Sequence, residues 1–354
     1  YVANRAHHAE IGGVVPGSMP GSVGKLVEEG VVIPPSYLFR KGKSQMSQIE
    51  KILNSGPFPT RQLKENLSDL LAQIASLRMG CESLNKLIST YGSKEIMDQM
   101  SNLREESSSS CREFLKKFGT EDLSGIQYLD DGTKLQLRVK MREGSAEFDF
   151  SGTDSVRSDN LNATEAIVSS VVCYCLRILI GKDLPLNEGL LEPIELIVPS
   201  GTLLHPNFHL DESSQPGVAG GNVELSQRLT DLILSSVFKV AACSQGTMNN
   251  LSFGNDHFSH YETLGGGAGA CVGCKGTSAV QVHMTNTAIT DPEIMESRFP
   301  VQLLSHRIRK GSGGSGTWYG GDGVEREYEF QEKTTFSFLT QRRKLGPEGL
   351  EGGS

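Results

Sequence analysis

The sequence predicts a mixed α+β fold: a large glycine-rich β core with an inserted helical arm at about 60–119. Three observations predict it. Apolar residues recur at helical spacing over 63–88. The period changes to two over 134–150. The 40 glycines among 354 residues are about half again the usual share and cluster in the last third, where strands and loops must approach closely. The expected layout is an N-terminal part at 1–59, the arm at 60–119 and a mixed core at 120–354.

In order, residues 1–40 read as a strand, a loop of ligand-type side chains, and a second strand at Val31-Val32-Ile33 stopped by Pro34-Pro35. Residues 45–56 are a short amphipathic segment with Ile49, Ile52 and Leu53, ended by Gly56-Pro57. In the arm, Leu63, Leu67, Leu70, Leu71, Ile74, Leu77, Leu84, Leu87 and Ile88 keep helical spacing. Gly92-Ser93 breaks the pattern before a second helix at 94–118, stopped by Gly119. Leu135, Leu137 and Val139 then alternate with Lys134, Gln136, Arg138 and Lys140. Gly144-Ser145 turns the chain, and Ala146, Phe148 and Phe150 alternate back, which makes a hairpin. Residues 164–180 form an apolar helix ended by Gly181, 194–199 a strand, and 206–216 a polar loop. Gly220-Gly221-Asn222 leads into a helix at 223–242, and glycine-punctuated strands and loops follow.

Net charge is −8, with acids and bases well mixed, which argues against a nucleic-acid surface. No apolar run approaches the roughly 20 residues of a membrane span, and no secretory leader is visible. The cysteines at 81, 111, 173, 175, 243, 271 and 274 are odd in number and scattered, which suits reduced cytoplasmic thiols. The chain starts at Tyr1 as if mid-strand and stops in Gly349-Leu350-Glu351-Gly352-Gly353-Ser354, so a segment of a longer protein is expected.

Ligand-type chemistry concentrates in Asn4-Arg5-Ala6-His7-His8-Ala9-Glu10-Ile11-Gly12-Gly13. On a helical turn His7 and Glu10 share a face and can grip one ion, while His8 points away. Imidazole with carboxylate suits Zn, Mn or Fe. The plain alternative is a hydrogen-bonded loop. Glu28, in Glu28-Glu29-Gly30, is a further carboxylate nearby, with a solvated acidic turn as its alternative. Cys271-Val272-Gly273-Cys274 has the spacing of half a zinc knuckle or a redox pair; no second half follows, so two loop thiols are the better reading. Gly265-Gly266-Gly267-Ala268-Gly269 lacks both the Walker ending and the Rossmann spacing, so tight strand packing is expected. Asn249, in Ser244-Gln245-Gly246-Thr247-Met248-Asn249-Asn250, and His283, in His283-Met284-Thr285-Asn286-Thr287, sit in segments that either line a polar pocket or satisfy their own turns.

Arg5-Ala6-His7-His8-Ala9-Glu10-Ile11-Gly12-Gly13, with Pro16-Gly17-Ser18-Met19, resembles the signature of the hydantoinase B family. That family includes the C-terminal half of ATP-dependent 5-oxoprolinase, N-methylhydantoinase B and the large subunits of acetone and acetophenone carboxylases. Further blocks follow in family order, among them Asn66-Leu67-Ser68-Asp69-Leu70, Phe148-Asp149-Phe150-Ser151-Gly152-Thr153, Gly221-Asn222-Val223-Glu224, Ser226-Gln227-Arg228 and Gly320-Gly321-Asp322-Gly323. The overall sequence is most similar to the eukaryotic 5-oxoprolinase type.

The resemblance implies an ATP-dependent cyclic-amide hydrolase of glutathione metabolism. A hydantoinase A-like ATP-binding domain or subunit, with ATP and Mg, would phosphorylate the small cyclic amide. This chain would then open the ring at a divalent metal, Zn or Mn, that lowers the pKa of its water towards about 7. It also implies His7 and Glu10 as metal ligands and Glu28 as a further one, at a place where the carboxylases carry histidine. His8, Asn249 and His283 are the expected catalytic side chains. Relatives usually carry aspartate at the position of Glu10, and the extra methylene moves the carboxylate by about 1.5 Å. Two other readings stand beside this one: a ketone carboxylase subunit, disfavoured by Glu28, and a non-catalytic assembly subunit, motivated by Glu10. A homo- or hetero-oligomer in the cytoplasm is expected.

Overall fold

The computed structural model describes residues 1–8, 10–21, 23–208 and 214–354. The N-terminal part is mostly irregular. It carries only α1 (Leu26–Glu29), the two-residue strands β1 (Phe39–Arg40) and β2 (Lys43–Ser44), and α2 (Met46–Leu53). The expected strands at residue 1 and at 31–33 are not formed, because this stretch docks through loops instead of a sheet. Val14 N donates to Glu28 O (2.9 Å) and Val31 N to Ile11 O (2.8 Å). Ile49 and Leu53 of α2 are buried and gather Ile11, Ile33 and Leu38 into a small core, which Leu70 closes.

The arm follows its sequence pattern. α3 (Leu63–Tyr91) and α4 (Ser93–Lys116) meet at Gly92, whose φ of +85° suits a residue without Cβ. Leu67, Ile74, Leu77, Leu84 and Ile88 are half-buried along α3, yet no residue from 71 to 106 is buried. The buried apolar anchors lie at the roots, Leu70 on α3 and Cys111, Phe114 and Leu115 on α4, with surface contacts further out such as Arg78 over Phe39 and Arg104 with Glu192.

The main core begins with a four-stranded sheet of β3 (Asp122–Tyr128), β4 (Lys134–Arg142), β5 (Ser145–Asp149) and β6 (Ile194–Ile197), in that order. The first two pairings are antiparallel. β5–β6 is parallel, with α5 (Glu165–Ile180) in the crossover. Leu135, Leu137, Val139 and Met141 alternate inward from β4 and are fully buried, as are Phe148 and Phe150, each worth about 2 kcal/mol of burial.

Packed in this core is a continuous helical run over 221–237. It consists of α6 (Ser226–Asp231) flanked by π-turns at Gly221–Leu225 and Leu232–Val237. Gly221, in the first turn, packs flush against its neighbour, since a Cβ there would lie 2.5 Å from Asn162 O. The run ends at Val237, short of the expected 242. Phe238 N and Val240 N turn back to Ile233 O and Leu234 O, and Lys239 takes φ +53°.

The remaining β structure is divided among small sheets. β7 (Asn250–Gly254) and β8 (Ser259–Thr263) are followed by α7 (Pro292–Arg298), then β9 (Val301–Ile308), β10 (Val324–Phe330) and β11 (Thr335–Leu339). One antiparallel sheet has the order β11-β7-β8, and β9 pairs with β10. Phe253, Met295 and Val301 form a separate core with Phe258, Phe299 and Phe330. The fold class is mixed, as predicted.

Candidate functional site

The His/Glu loop is coiled by Gly12, Gly13 and Gly17, at φ +93°, +88° and +82°. Its described residues are not helical, so the shared helical face expected for His7 and Glu10 is absent. Glu10 closes the loop from inside, being only 1% exposed. Its carboxylate accepts from Gly12 N (2.5 Å), Gly17 N (3.2 Å) and Arg61 Nη1 (3.3 Å). The same guanidinium donates to Gly13 O (2.8 Å), and Asn66 Nδ2 holds Glu10 O (2.6 Å). His8 Nδ1 lies 3.1 Å from Asp69 Oδ2 on α3, while His7 is exposed. Glu28 Oε2 accepts from Gly24 N (3.1 Å) and Lys25 N (2.9 Å), capping α1. The neighbouring Glu29 is buried and accepts from Ala219 N (2.8 Å). Burial pushes its carboxyl up to about 7, against the Ala219 and Val218 amides.

These residues do not make a metal cage as they stand. Among the described residues no group of three or more His, Cys, Asp and Glu is placed to hold an ion. Arg61 also sets a positive charge on the Glu10 carboxylate, which a cation would have to displace.

A second polar centre was not singled out from sequence. Along the helical run, Glu224, Gln227, Arg228 and Asp231 are all buried. Glu224 Oε1 accepts from Met248 N (3.2 Å) and Asn250 Nδ2 (2.8 Å), while Oε2 has no partner. Burial pushes this carboxyl up to about 8. Arg228 donates to Tyr128 O and leaves Nε and Nη2 unpartnered. Burial, with the charge of Arg342 beside it, lowers its pKa to about 10. Asp231 holds Ser244 N (3.1 Å) and Arg342 Nη2 (3.2 Å). Unpartnered buried polar atoms on a helix with π-turns are uncommon and concentrate at functional sites. Spacing hid this centre, because charged residues on a helix ordinarily read as its solvent face. Its one trace in the sequence was the pair of family blocks at 221–224 and 226–228.

Glu224 and Asp231 thus pin the segment 244–250 from behind. On its other side opens a cleft of about 1140 Å³ between segments 239–249, 264–272, 309–324 and 338–354. The glycine loop at 265–269 is close-packed backbone, as expected: a Cβ on Gly267 would sit 1.8 Å from Gly321 O. Of the six predicted site residues, only Asn249 lines this cleft. It adopts φ +51°, donates to Leu264 O (3.2 Å) and accepts from Arg343 Nη2. His283 pairs instead with Tyr174 OH (3.3 Å), and burial, against the charge of Asp231, lowers its pKa. The His/Glu loop reaches the neighbouring sheet: Ser337 Oγ donates to Met19 O (2.9 Å), and Gly17 abuts Ser252 of β7. Lys239, Arg309 and Arg343 bring positive charge to the cleft, against Glu348 and Glu351.

The family model described as hydantoinase B/oxoprolinase matches residues 1–354. 5-oxoprolinase 1 of Arabidopsis thaliana is 42% identical over 380 residues, covering 100% of this chain and 29% of its own length. 5-oxoprolinase of Dictyostelium discoideum is 41% identical, covering 100% of this chain and 28% of its own length. The chain therefore spans under a third of these relatives. Among solved structures, an ATP-dependent caprolactamase from Pseudomonas jessenii superposes with a TM-score of 0.80 at 22% identity. It covers 94% of this chain and 59% of its own. An acetone carboxylase superposes with a TM-score of 0.79 at 18% identity, covering 95% and 48%. At such identities the two structures establish the fold alone. With the family match running over every residue and whole-chain relatives above 40% identity, the chain belongs to the hydantoinase B/oxoprolinase family.

Proposed function

We propose that this chain is the hydrolytic half of an ATP-dependent cyclic-amide hydrolase of the 5-oxoprolinase type. A hydantoinase A-like domain, carried on the part of the protein outside this chain, phosphorylates the amide oxygen with ATP and Mg. This chain then directs water onto the activated carbon and the ring opens, 5-oxoproline giving glutamate. The observation that carries the reading is the 42% identity to a 5-oxoprolinase along the whole chain. The greater length of the relatives supports a phosphorylating partner domain.

The chain's own chemistry suits the second half-reaction. Phosphorylation makes a stable amide electrophilic and gives the intermediate extra negative charge. Lys239, Arg309 and Arg343 at the cleft favour such an anion. Asn249, held by Leu264 O and Arg343, presents a fixed amide at the wall, and fixed polar groups lower a barrier because they need no reorganisation. A Zn or Mn ion on His7 and Glu10 would compete with the Arg61 guanidinium for the Glu10 carboxylate, because the two positive charges repel.

The test is ATP hydrolysis by the full-length protein offered 5-oxoproline, a hydantoin, or acetophenone with bicarbonate. Stimulation by 5-oxoproline with glutamate released is expected. Stimulation only by the ketone would move the chain to the carboxylases, and stimulation by none would leave an assembly subunit.

A further inference from the structure

The turn Cys271-Val272-Gly273-Cys274 borders the cleft, which Cys271 and Val272 line. Its two cysteines face each other as an antiparallel bridge. Cys271 N donates to Cys274 O (3.1 Å) and Cys274 N to Cys271 O (3.0 Å). Gly273 takes φ +82°, and Val272 at the tip is 85% exposed. Directly opposed, reciprocally bonded residues have Cα atoms about 5.5 Å apart, inside the range of about 4.4–6.8 Å that a disulfide spans. The reciprocal backbone pairing places the two side chains at directly opposed positions of the turn. From this geometry we infer that Cys271 and Cys274 form a reversible disulfide across the tip of the turn, made by exchange with a low-molecular-weight disulfide.

The other thiols are poorly placed to compete. Cys111, Cys175 and Cys243 are buried, and burial pushes their thiols up, Cys111 to about 12 and Cys243 to about 11. Cys173 is half-buried and raised for the same reason. Cys81 is exposed on α3 with no second cysteine nearby in sequence. Within the turn, Cys274 is the more exposed, and Lys275 follows it directly. Desolvation, with Cys274 beside it, raises the Cys271 thiol. Cys274 is therefore the attacking sulfur and Cys271 the resolving one.

The exchange balances in two steps. The Cys274 thiolate attacks the external disulfide, an S–S bond forms to Cys274, and one thiol leaves. The Cys271 thiolate then attacks Cys274 Sγ, the protein disulfide forms, and the second thiol leaves. Two cysteines are oxidised, one external disulfide is reduced, and the two protons end on the leaving thiols. The turn is anchored on both sides, Ala270 O accepting from Ala242 N (2.8 Å) and Gly276 N donating to Tyr319 O (2.8 Å). Closing it therefore stiffens the cleft wall. The inference is independent of the reaction proposed above, because its readout is the thiols themselves.

The experiment incubates the full-length protein with oxidised glutathione, counts free thiols and maps peptides by mass. A loss of two thiols is expected. The peptide holding both cysteines should be two hydrogens lighter, and dithiothreitol should reverse the change. In the Cys271→Ser variant the reaction should instead stop at a glutathione adduct on Cys274. An unchanged thiol count, a wild-type product that stays an adduct, or the same two-thiol loss in the Cys271→Ser/Cys274→Ser double variant would overturn the inference.

Discussion

Glu10 and Arg61 show how far one side chain can be read from its neighbours in sequence. The spacing of His7 and Glu10 is that of a ligand pair, but the loop glycines turn Glu10 inward onto amides and Arg61, a partner 51 residues on. No local pattern encodes that contact. Arg61→Ala should destabilise the fold by about 3 kcal/mol, because it leaves a buried carboxylate with only its amides; a denaturant midpoint checks it. The same variant opens the carboxylate to a cation. Zn or Mn retained after dialysis should rise in Arg61→Ala, and equal metal content in both proteins would argue against competition at Glu10.

Glu224 makes a pH prediction. Its folded pKa of about 8 lies above the ordinary 4.5, so the folded state holds a proton that the unfolded state has released. Stability therefore falls as pH rises from about 4.5 to about 8, by something on the order of 5 kcal/mol. Glu224→Gln, which mimics the protonated carboxyl, should flatten most of that slope in denaturation curves. Glu29, pushed to about 7, keeps the remainder in the lower part of the window. An unchanged slope in Glu224→Gln would show that Glu224 titrates normally.

At the scale of elements, the arm, the 134–150 hairpin and α5 were legible because apolar periodicity decides each of them locally. β3 was not. Its inward positions include Gly125 and Gln127, and Gln127 is buried for its hydrogen bonds to Ser236 and Arg342, not for apolar contact. The buried helical run was legible as a helix and illegible as a site, since its charged residues are matched by segments far along the chain. The arm carries its own prediction. Because nothing from 71 to 106 is buried, and Arg78 on Phe39 and Gly80 beside Val2 lie nearer the root, replacing residues 82–101 with a short Gly/Ser link should change unfolding free energy by less than about 1 kcal/mol. A loss of several kcal/mol would mean that the distal arm is packed against something.

At the scale of the whole molecule, the sequence blocks and the family match run over the same chain, and Glu224 and Asp231 hold the segment 244–250 at the cleft wall. Sequence order placed the chemistry first at His7 and Glu10. The tertiary structure adds the cleft around Asn249 and gives Glu10 to Arg61. The central claim is that this chain opens the ring and does not transfer the phosphoryl group. Coupling tests it most directly: glutamate formed per ATP consumed, in the full-length protein and its Asn249→Ala variant. Glutamate formation should fall at least about tenfold while ATP consumption falls less than about twofold, the signature of an activated intermediate left unopened. ATP use and glutamate falling together, or neither changing, would contradict it.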